Sequence, residues 1–255
     1  MNVRSWPGVT VFAPDYVAKQ LSLVMSLRKS SAWKGLFRGD FSAIVCLLFL
    51  MDVRDEYNSL ASIYDRRWRH YVDVSVGRTL KALELGGDER VLDVGCGTGV
   101  LLERLGSAHP GLALHGVDPT EAMLDRARER CAERVDLKRG EAEALPFGDG
   151  EFDVVLSVSA LHYFSDPRRA ISEMARVLRP GGTLVVTGWC ADFPAMLLYS
   201  VCLRAWDAAV KQIYRAEQVR GYLESAGIEN VAATHFRIRP LWGMMMISAR
   251  VKPDL

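Results

Sequence analysis

The segment that most constrains the fold is Val91–Gly99, which reads VLDVGCGTG. Its first four residues are apolar except for Asp93, which favours a short buried strand, and three glycines follow at alternate positions. Glycine lets the chain turn sharply and lets a ligand lie against bare backbone. The apolar run Val100–Leu105 then predicts a helix. The glycines therefore occupy a strand-to-helix turn of the kind that binds ligands in open α/β sheets.

The rest of the chain alternates strands with amphipathic helices, which predicts a doubly wound, mostly parallel α/β sheet covered by helices on both faces. Further strands are predicted at Leu112–Val117, Val135–Arg139, Phe152–Val158, Thr183–Trp189, Val231–Ile238 and Met244–Val251. Helical spacing of apolar residues recurs at Tyr57–Val72, Met123–Cys131, Ile171–Leu178 and Val219–Ala226.

Charge is distributed unevenly along the chain. Residues 1–50 carry six basic and two acidic side chains, although the whole chain has a net charge of only +1. That balance excludes a globally basic nucleic-acid binder. We expect residues 1–50 to be an N-terminal extension without a core of its own, or translated sequence upstream of a natural start at Met51. Residues 51–255 then form one domain.

The cysteines and the apolar runs predict a cytoplasmic protein. The chain has five cysteines, an odd number, and no two have the two-residue separation of a zinc knuckle or a redox motif. We therefore expect free thiols in a reducing compartment and no metal site. The longest apolar run, Phe41–Met51, is shorter than the roughly 20 residues that cross a bilayer.

Two features of the motif distinguish between possible ligands. A dinucleotide-binding fingerprint requires glycine or alanine where this chain has Val100. Asp93, just before the glycines, favours a cationic ligand over a phosphate. Asp118 ends the second predicted strand, about 20 residues after the glycines, where a carboxylate can accept hydrogen bonds from ribose hydroxyls.

Together these segments resemble the class I S-adenosylmethionine-dependent methyltransferases of the small-molecule type. Four blocks carry the resemblance: VLDVGCGTG, LHGVDPTEAMLDRAR, GEAEALPFGDGEFDVVLSVSALHYFSDP and RVLRPGGTLVVTGW. The resemblance implies S-adenosyl-L-methionine as the cofactor and methyl transfer as the reaction. It also implies a Rossmann-like sheet of seven strands in which the last strand is antiparallel.

The same resemblance implies a set of cofactor-binding residues. Asp93 and the backbone of the glycine loop would hold the methionine end, Asp118 the ribose, and Met123 the adenine. In the third block the family usually has Asp-Ala, and here Glu141 and Ala142 stand in that place. The loop residues concerned are Gly95, Cys96, Gly97 and Gly99.

Candidate residues for the acceptor side are less firmly defined by sequence. His162, just past the fourth strand, is the candidate general base, which is needed only if the acceptor must lose a proton. Tyr64, Tyr163 and Trp189 are candidates for the substrate pocket. The apolar segment near 190–212 is expected to form a helical lid over it.

The aromatic helix before the sheet and the run Leu241–Met246 favour a small apolar or aromatic acceptor, such as a quinone, an isoprenoid, a phenol or a lipid. No nucleic-acid substrate is expected. A lipophilic substrate would allow membrane association, but no sequence feature supports it. Two alternatives stay open: a catalytically silent cofactor-binding partner subunit, and an NAD(P)-dependent oxidoreductase, which Val100 disfavours. The sequence does not define the oligomeric state.

Overall fold

A computed structural model describes residues 53–196, 211–239 and 242–252, without the side chains of residues 53–64, 67 and 239. The predicted N-terminal extension, residues 1–50, lies outside this part of the chain. So does most of the predicted lid, of which residues 190–196 and 211–212 are described.

The described residues form five α-helices and seven β-strands that alternate along the chain. None of these helices combines the length and the apolar character that would let it cross a membrane. In chain order the elements are α1 Val53–Lys81, β1 Arg90–Val94, α2 Val100–Ala108, β2 Ala113–Asp118, α3 Glu121–Cys131, β3 Val135–Arg139, β4 Phe152–Val158, α4 Pro167–Val177, β5 Leu178–Trp189, α5 Ala216–Ser225, β6 Ile228–Arg239 and β7 Trp242–Val251.

The seven strands form one sheet in the order β3-β2-β1-β4-β5-β7-β6. β7 runs antiparallel to both of its neighbours, β5 and β6, and the remaining pairs are parallel. The predicted doubly wound, mostly parallel sheet with an antiparallel last strand is therefore confirmed. β1 and β4 are mostly buried, because they lie at the centre of the sheet, covered on both faces.

Among the strands, the largest difference from the predicted boundaries is at β5. The sequence predicts a strand that starts at Thr183, after Pro180 and two glycines, whereas the strand starts at Leu178. Leu178 pairs with Phe152, and the register then shifts before Thr183 pairs with Val154. The glycine turn therefore forms an irregularity within a strand instead of a loop before it.

Helix α1 packs across the sheet through a row of buried polar side chains. Thr79 Oγ1 lies 2.8 Å from Thr187 Oγ1 on β5, and the Tyr71 hydroxyl donates a 2.7 Å hydrogen bond to Ser159 Oγ, just after β4. Both bonds bridge the helix to strands far away in sequence. They hold α1 against the carboxyl ends of the central strands, where a ligand site is expected.

Packing of α5 on the sheet gives a direct test of the fold. Leu223 is fully buried in the core cluster, whereas its neighbour Glu224 is exposed. Leu223→Ala is expected to lower the free energy of unfolding by about 2–5 kcal/mol, the range for a buried leucine. Glu224→Ala should change it by less than about 0.5 kcal/mol. Denaturant unfolding measures both, and equal effects would contradict the described packing.

Candidate active site

A cavity of about 540 Å³ opens at the carboxyl ends of β1, β2 and β4. The sequence-predicted residues that line it are Asp93, Gly95, Cys96, Gly97, Asp118, Met123, Glu141, Ala142 and Tyr163. Gly99, His162 and Trp189 are not among its lining residues. Tyr64 lies in α1, but its side chain is outside the described set. The structure thus brings together most of the predicted cofactor residues, but fewer of the acceptor residues.

The glycine loop forms the floor of the cavity. The N–H groups of Gly95 and Cys96 both donate to the carbonyl of Val117, at 2.8 and 3.1 Å, which ties the loop to the end of β2. Gly95 has a φ of +78°, and a Cβ there would lie 2.5 Å from Cβ of Ala160. Gly97 has a φ of +52° and open space beside it. The first glycine is therefore required by packing, and the second leaves bare backbone facing the cavity.

Gly99 has a packing role that sequence analysis missed. Its φ is +78°, and a Cβ there would lie 3.1 Å from Cβ of Ala127 and 3.0 Å from Sγ of Cys131. Both of these residues belong to α3. Gly99 therefore allows α2 to begin close against α3, and its predicted contact with a cofactor stays a prediction.

Asp118 is a buried carboxylate held by two backbone donors. The Gly97 N–H donates to Oδ2 at 3.0 Å, and the Thr120 N–H donates to Oδ1 at 2.9 Å. Burial raises the pKa of Asp118 to about 6, and the two N–H donors partly offset this rise. The Thr120 side chain also bonds to this carboxylate, so a fixed acceptor lines the cavity.

Asp93 is buried more deeply, and no described residue donates a hydrogen bond to its Oδ1. Burial, followed by the charge of Asp118, raises the pKa of Asp93 to about 8. An unpaired buried carboxylate is costly, and a cationic ligand is the partner that removes this cost. The arrangement favours a positively charged group at this end of the cavity.

The part of the lining next to Asp118 combines apolar side chains with another carboxylate. Met123 and Ala142 are buried there, and Glu141 follows β3 at the cavity edge. The Gly140 N–H donates to the carbonyl of Asp118 at 3.2 Å, which places this wall directly beside the buried aspartate. Such a wall suits a flat, apolar ring with a polar edge, as adenine has.

Helix α1 is tied to the glycine loop by a network that sequence analysis missed. Thr98 Oγ1 donates to Asp65 Oδ1 at 2.7 Å, and Arg130 Nε donates to the Thr98 carbonyl at 2.8 Å. Arg130 also pairs with Asp65. The three residues come from α1, the loop and α3, and no local sequence pattern predicts that such distant residues meet.

Ser159 is a second residue that sequence analysis missed. It lines the cavity with a φ of +63°, a conformation rare for residues other than glycine. Its N–H donates to the Thr187 carbonyl at 2.7 Å, and its hydroxyl accepts the hydrogen bond from Tyr71. Such strain is commonly found at functional sites, which makes Ser159 a candidate for contact with the acceptor.

His162 is buried beside the cavity but not in its lining. Its ring stacks on Trp189 at a centroid distance of 4.1 Å and contacts Tyr163 at 4.0 Å. No described residue bonds to either ring nitrogen, and burial lowers the pKa of His162 to about 3. The imidazole is therefore neutral at physiological pH, and its role as general base stays a prediction.

Comparisons with known proteins place this chain among the methyltransferases. Residues 92–186 match a family model described as a methyltransferase domain. An uncharacterized methyltransferase of Mycobacterium tuberculosis is 41% identical over 133 residues, which cover 52% of this chain and 51% of that protein. The alignments with curated relatives cover 32% to 51% of those relatives, so this chain spans about a third to a half of their length.

Solved structures share the fold at low sequence identity. A methyltransferase of Haloferax volcanii, in complex with the Trm112 activator, is 20% identical with a TM-score of 0.69 over 78% of this chain and 98% of that one. A SAM-dependent methyltransferase of Thermotoga maritima, described as a possible histamine N-methyltransferase, is 23% identical with a TM-score of 0.65. The match covers 78% of this chain and all of that one.

The raised pKa of Asp93 predicts how stability depends on pH. Between about pH 4 and pH 8, Asp93 keeps its proton in the folded ligand-free protein but has lost it in the unfolded chain. The contribution of Asp93 to the free energy of unfolding therefore falls as pH rises. Asp93→Asn removes this dependence. The ligand-free variant should exceed wild type in stability by more than about 1 kcal/mol at pH 8, with the difference shrinking towards pH 4.

Denaturant unfolding across this pH range is the measurement. The exposed Asp88→Asn is the matched control and should follow the wild-type curve. Parallel curves for wild type and Asp93→Asn would contradict the assignment of a high pKa to Asp93.

Proposed function

We propose that this chain, which contains a methyltransferase domain of the class I S-adenosylmethionine-dependent family, transfers a methyl group from S-adenosyl-L-methionine to a small organic acceptor. The observation that carries the proposal is the pair of buried carboxylates in one cavity. Asp118 is fixed by two N–H donors, and Asp93 has an oxygen that no described residue satisfies. A ligand with ribose hydroxyls and a cationic amino acid end complements both.

The described residues fit this cofactor along the length of the cavity. Asp93 and the bare backbone at Gly97 would hold the cationic methionine end, and Asp118 would accept from the ribose hydroxyls. Met123 and Ala142 would flank the adenine, with Glu141 as the acceptor for its amino group. The unpartnered oxygen of Asp93 and the open space beside Gly97 support this assignment independently of any sequence pattern.

When bound, the cofactor supplies an electrophilic methyl carbon on a sulfonium whose leaving group is a neutral thioether. The contribution of the protein is then alignment of the acceptor and exclusion of water. Helix α1 contributes to both, because Asp65 and Tyr71 connect it to the loops after β1 and β4. Ser159, with its hydroxyl oriented by Tyr71, is the polar group best placed to orient an acceptor.

The acceptor that suits this region is apolar or aromatic, such as a quinone, an isoprenoid, a phenol or a lipid-like molecule. Four aromatic side chains cluster behind Ser159, with ring centroids 5.4–6.4 Å apart: Trp68, Tyr71, Trp189 and Trp242. Val72, Val158 and Tyr163 extend the apolar surface into the cavity. Two basic residues, Arg169 and Lys211, also line the cavity.

Methyl transfer is tested with isotope-labelled S-adenosylmethionine and a panel of small quinones, phenols, isoprenoids and amines. The proposal predicts label transfer to at least one apolar or aromatic compound, and Ser159→Ala should lower turnover while cofactor binding changes little. Label transfer confined to charged amines would contradict the acceptor class. Cofactor binding with no transfer to any compound or to cell extract would favour the catalytically silent subunit.

Asp118→Ala tests the cofactor assignment separately. Loss of charge-assisted hydrogen bonds should weaken S-adenosylmethionine binding by about 1–3 kcal/mol, measured by calorimetric titration. Asp125→Ala is the matched control, because Asp125 is an exposed aspartate on α3 that pairs with Arg128. An unchanged dissociation constant for Asp118→Ala would contradict the assignment of Asp118 to the ribose.

His162→Ala distinguishes a base from a packing residue. If His162 is the general base, its replacement should change turnover in a pH-dependent way and leave cofactor affinity intact. If His162 is instead a packing residue between Trp189 and Tyr163, its replacement should lower the free energy of unfolding at every pH. The shape of the plot of turnover against pH should then stay the same. The two outcomes are read from turnover against pH and from denaturant unfolding.

A further inference from the structure

A mixed group of metal-ligating side chains lies outside the cavity, where β5 ends. Cys190 follows β5, Asp192 lies two residues later, and His235 projects from β6. Oδ2 of Asp192 lies 3.3 Å from Sγ of Cys190 and 2.8 Å from Nε2 of His235. All three ligand atoms lie within 4.8 Å of one another.

These separations are close to those that one metal ion imposes. Zinc binds sulfur at about 2.3 Å and nitrogen or oxygen at about 2.0–2.2 Å, so tetrahedral ligand atoms lie roughly 3.3–3.7 Å apart. The Cys190–Asp192 separation already falls in this range and the Asp192–His235 separation is shorter, so metal binding would require the exposed His235 and Asp192 side chains to rotate apart. A thiolate, an imidazole and a carboxylate are the combination that zinc-class ions accept.

The backbone that carries two of the ligands is fixed from several sides. The N–H groups of Cys190 and Ala191 donate to the carbonyls of Gly243 and Tyr214, at 3.1 and 2.8 Å. The Phe193 ring lies so close to Gly243 that a Cβ there would be 2.0 Å from it. This support gives the short Cys-x-Asp segment the preorganisation that a metal site needs.

Access to the cluster is from one side. The Cys190 side chain is completely buried, whereas the side chains of Asp192 and His235 are 32% and 41% exposed. An ion can therefore enter from solvent and meet the sulfur at the inner end of the site. The Ala216 N–H, at the start of α5, donates to Asp192 Oδ2 at 3.1 Å and orients the carboxylate.

We propose that Cys190, Asp192 and His235 form a binding site for a divalent zinc-class metal ion, with water in the fourth position. The site goes beyond the methyltransferase function and does not depend on it. An ion there would connect the segment after β5 to β6. No sequence motif indicates this site, because the three ligands differ in type and His235 lies 43 residues after Asp192.

Metal binding requires the Cys190 thiol to release its proton to solvent, leaving the thiolate as ligand. Metal affinity should therefore increase as pH rises, because the ion competes with fewer protons.

The test is a titration of the untagged, reduced, chelator-treated full chain with Co²⁺, monitored by absorption. We expect one equivalent to produce intense thiolate-to-cobalt charge-transfer absorption, which equimolar Zn²⁺ then abolishes. Cys190→Ser should eliminate the absorption. His235→Asn, at a partly exposed position where folding should be unaffected, should raise the Co²⁺ dissociation constant roughly 10-fold or more.

His115→Asn is the matched control. His115 forms a similar contact with Asp136, at 3.3 Å, but no cysteine completes that pair, so the variant should titrate like wild type. Absence of charge-transfer absorption in wild type would overturn the proposal and leave a hydrogen-bonded cluster around Asp192. Retention of wild-type affinity by His235→Asn, or persistence of the cobalt spectrum after Zn²⁺ is added, would overturn it equally.

Discussion

Two carboxylates at the ends of adjacent parallel strands, Asp93 and Asp118, dominate the energetics of the candidate active site. Both are buried, and repulsion between their charges adds to the cost of burial, so the pKa of Asp93 rises to about 8. The fold keeps this unfavourable arrangement because β1 and β2 pair in register from Arg90–Ala113 to Val94–Val117. Under the proposed function, a cationic ligand would offset this cost, so the topology of the sheet would favour a cationic cofactor.

The surrounding elements depend on the same two strand ends. The glycine loop bonds to the carbonyl of Val117, one residue before Asp118, and its own N–H at Gly97 holds the Asp118 carboxylate. Thr98 then connects the loop to Asp65 on α1. A substitution that displaces one of these groups is therefore expected to shift the other residues that line the cavity.

Much of this arrangement could be predicted from sequence because its signals are local. Each signal is a short sequence pattern: an apolar, β-branched strand, glycines at alternate positions, or an aspartate at the end of a strand. Val91–Gly99 and Asp118 are the examples in this chain. Contacts between distant residues leave no such pattern: the Asp65–Thr98–Arg130 network and the Tyr71–Ser159 bond arise from tertiary packing. The strained φ of Ser159 is likewise invisible, since serine is compatible with many conformations. For His162, the sequence position after β4 suggests a general base, but the stacking of its ring on Trp189 leaves no sequence pattern.

The central claim is that the cavity selects a sulfonium nucleoside over a dinucleotide, and side-by-side calorimetric titration with S-adenosylmethionine and NAD(P) tests it most directly. The account predicts saturable 1:1 binding of S-adenosylmethionine, strengthening between pH 6 and pH 8 as Asp118 and Asp93 ionise, and no measurable binding of NAD(P). Binding of NAD(P) without binding of S-adenosylmethionine would contradict it.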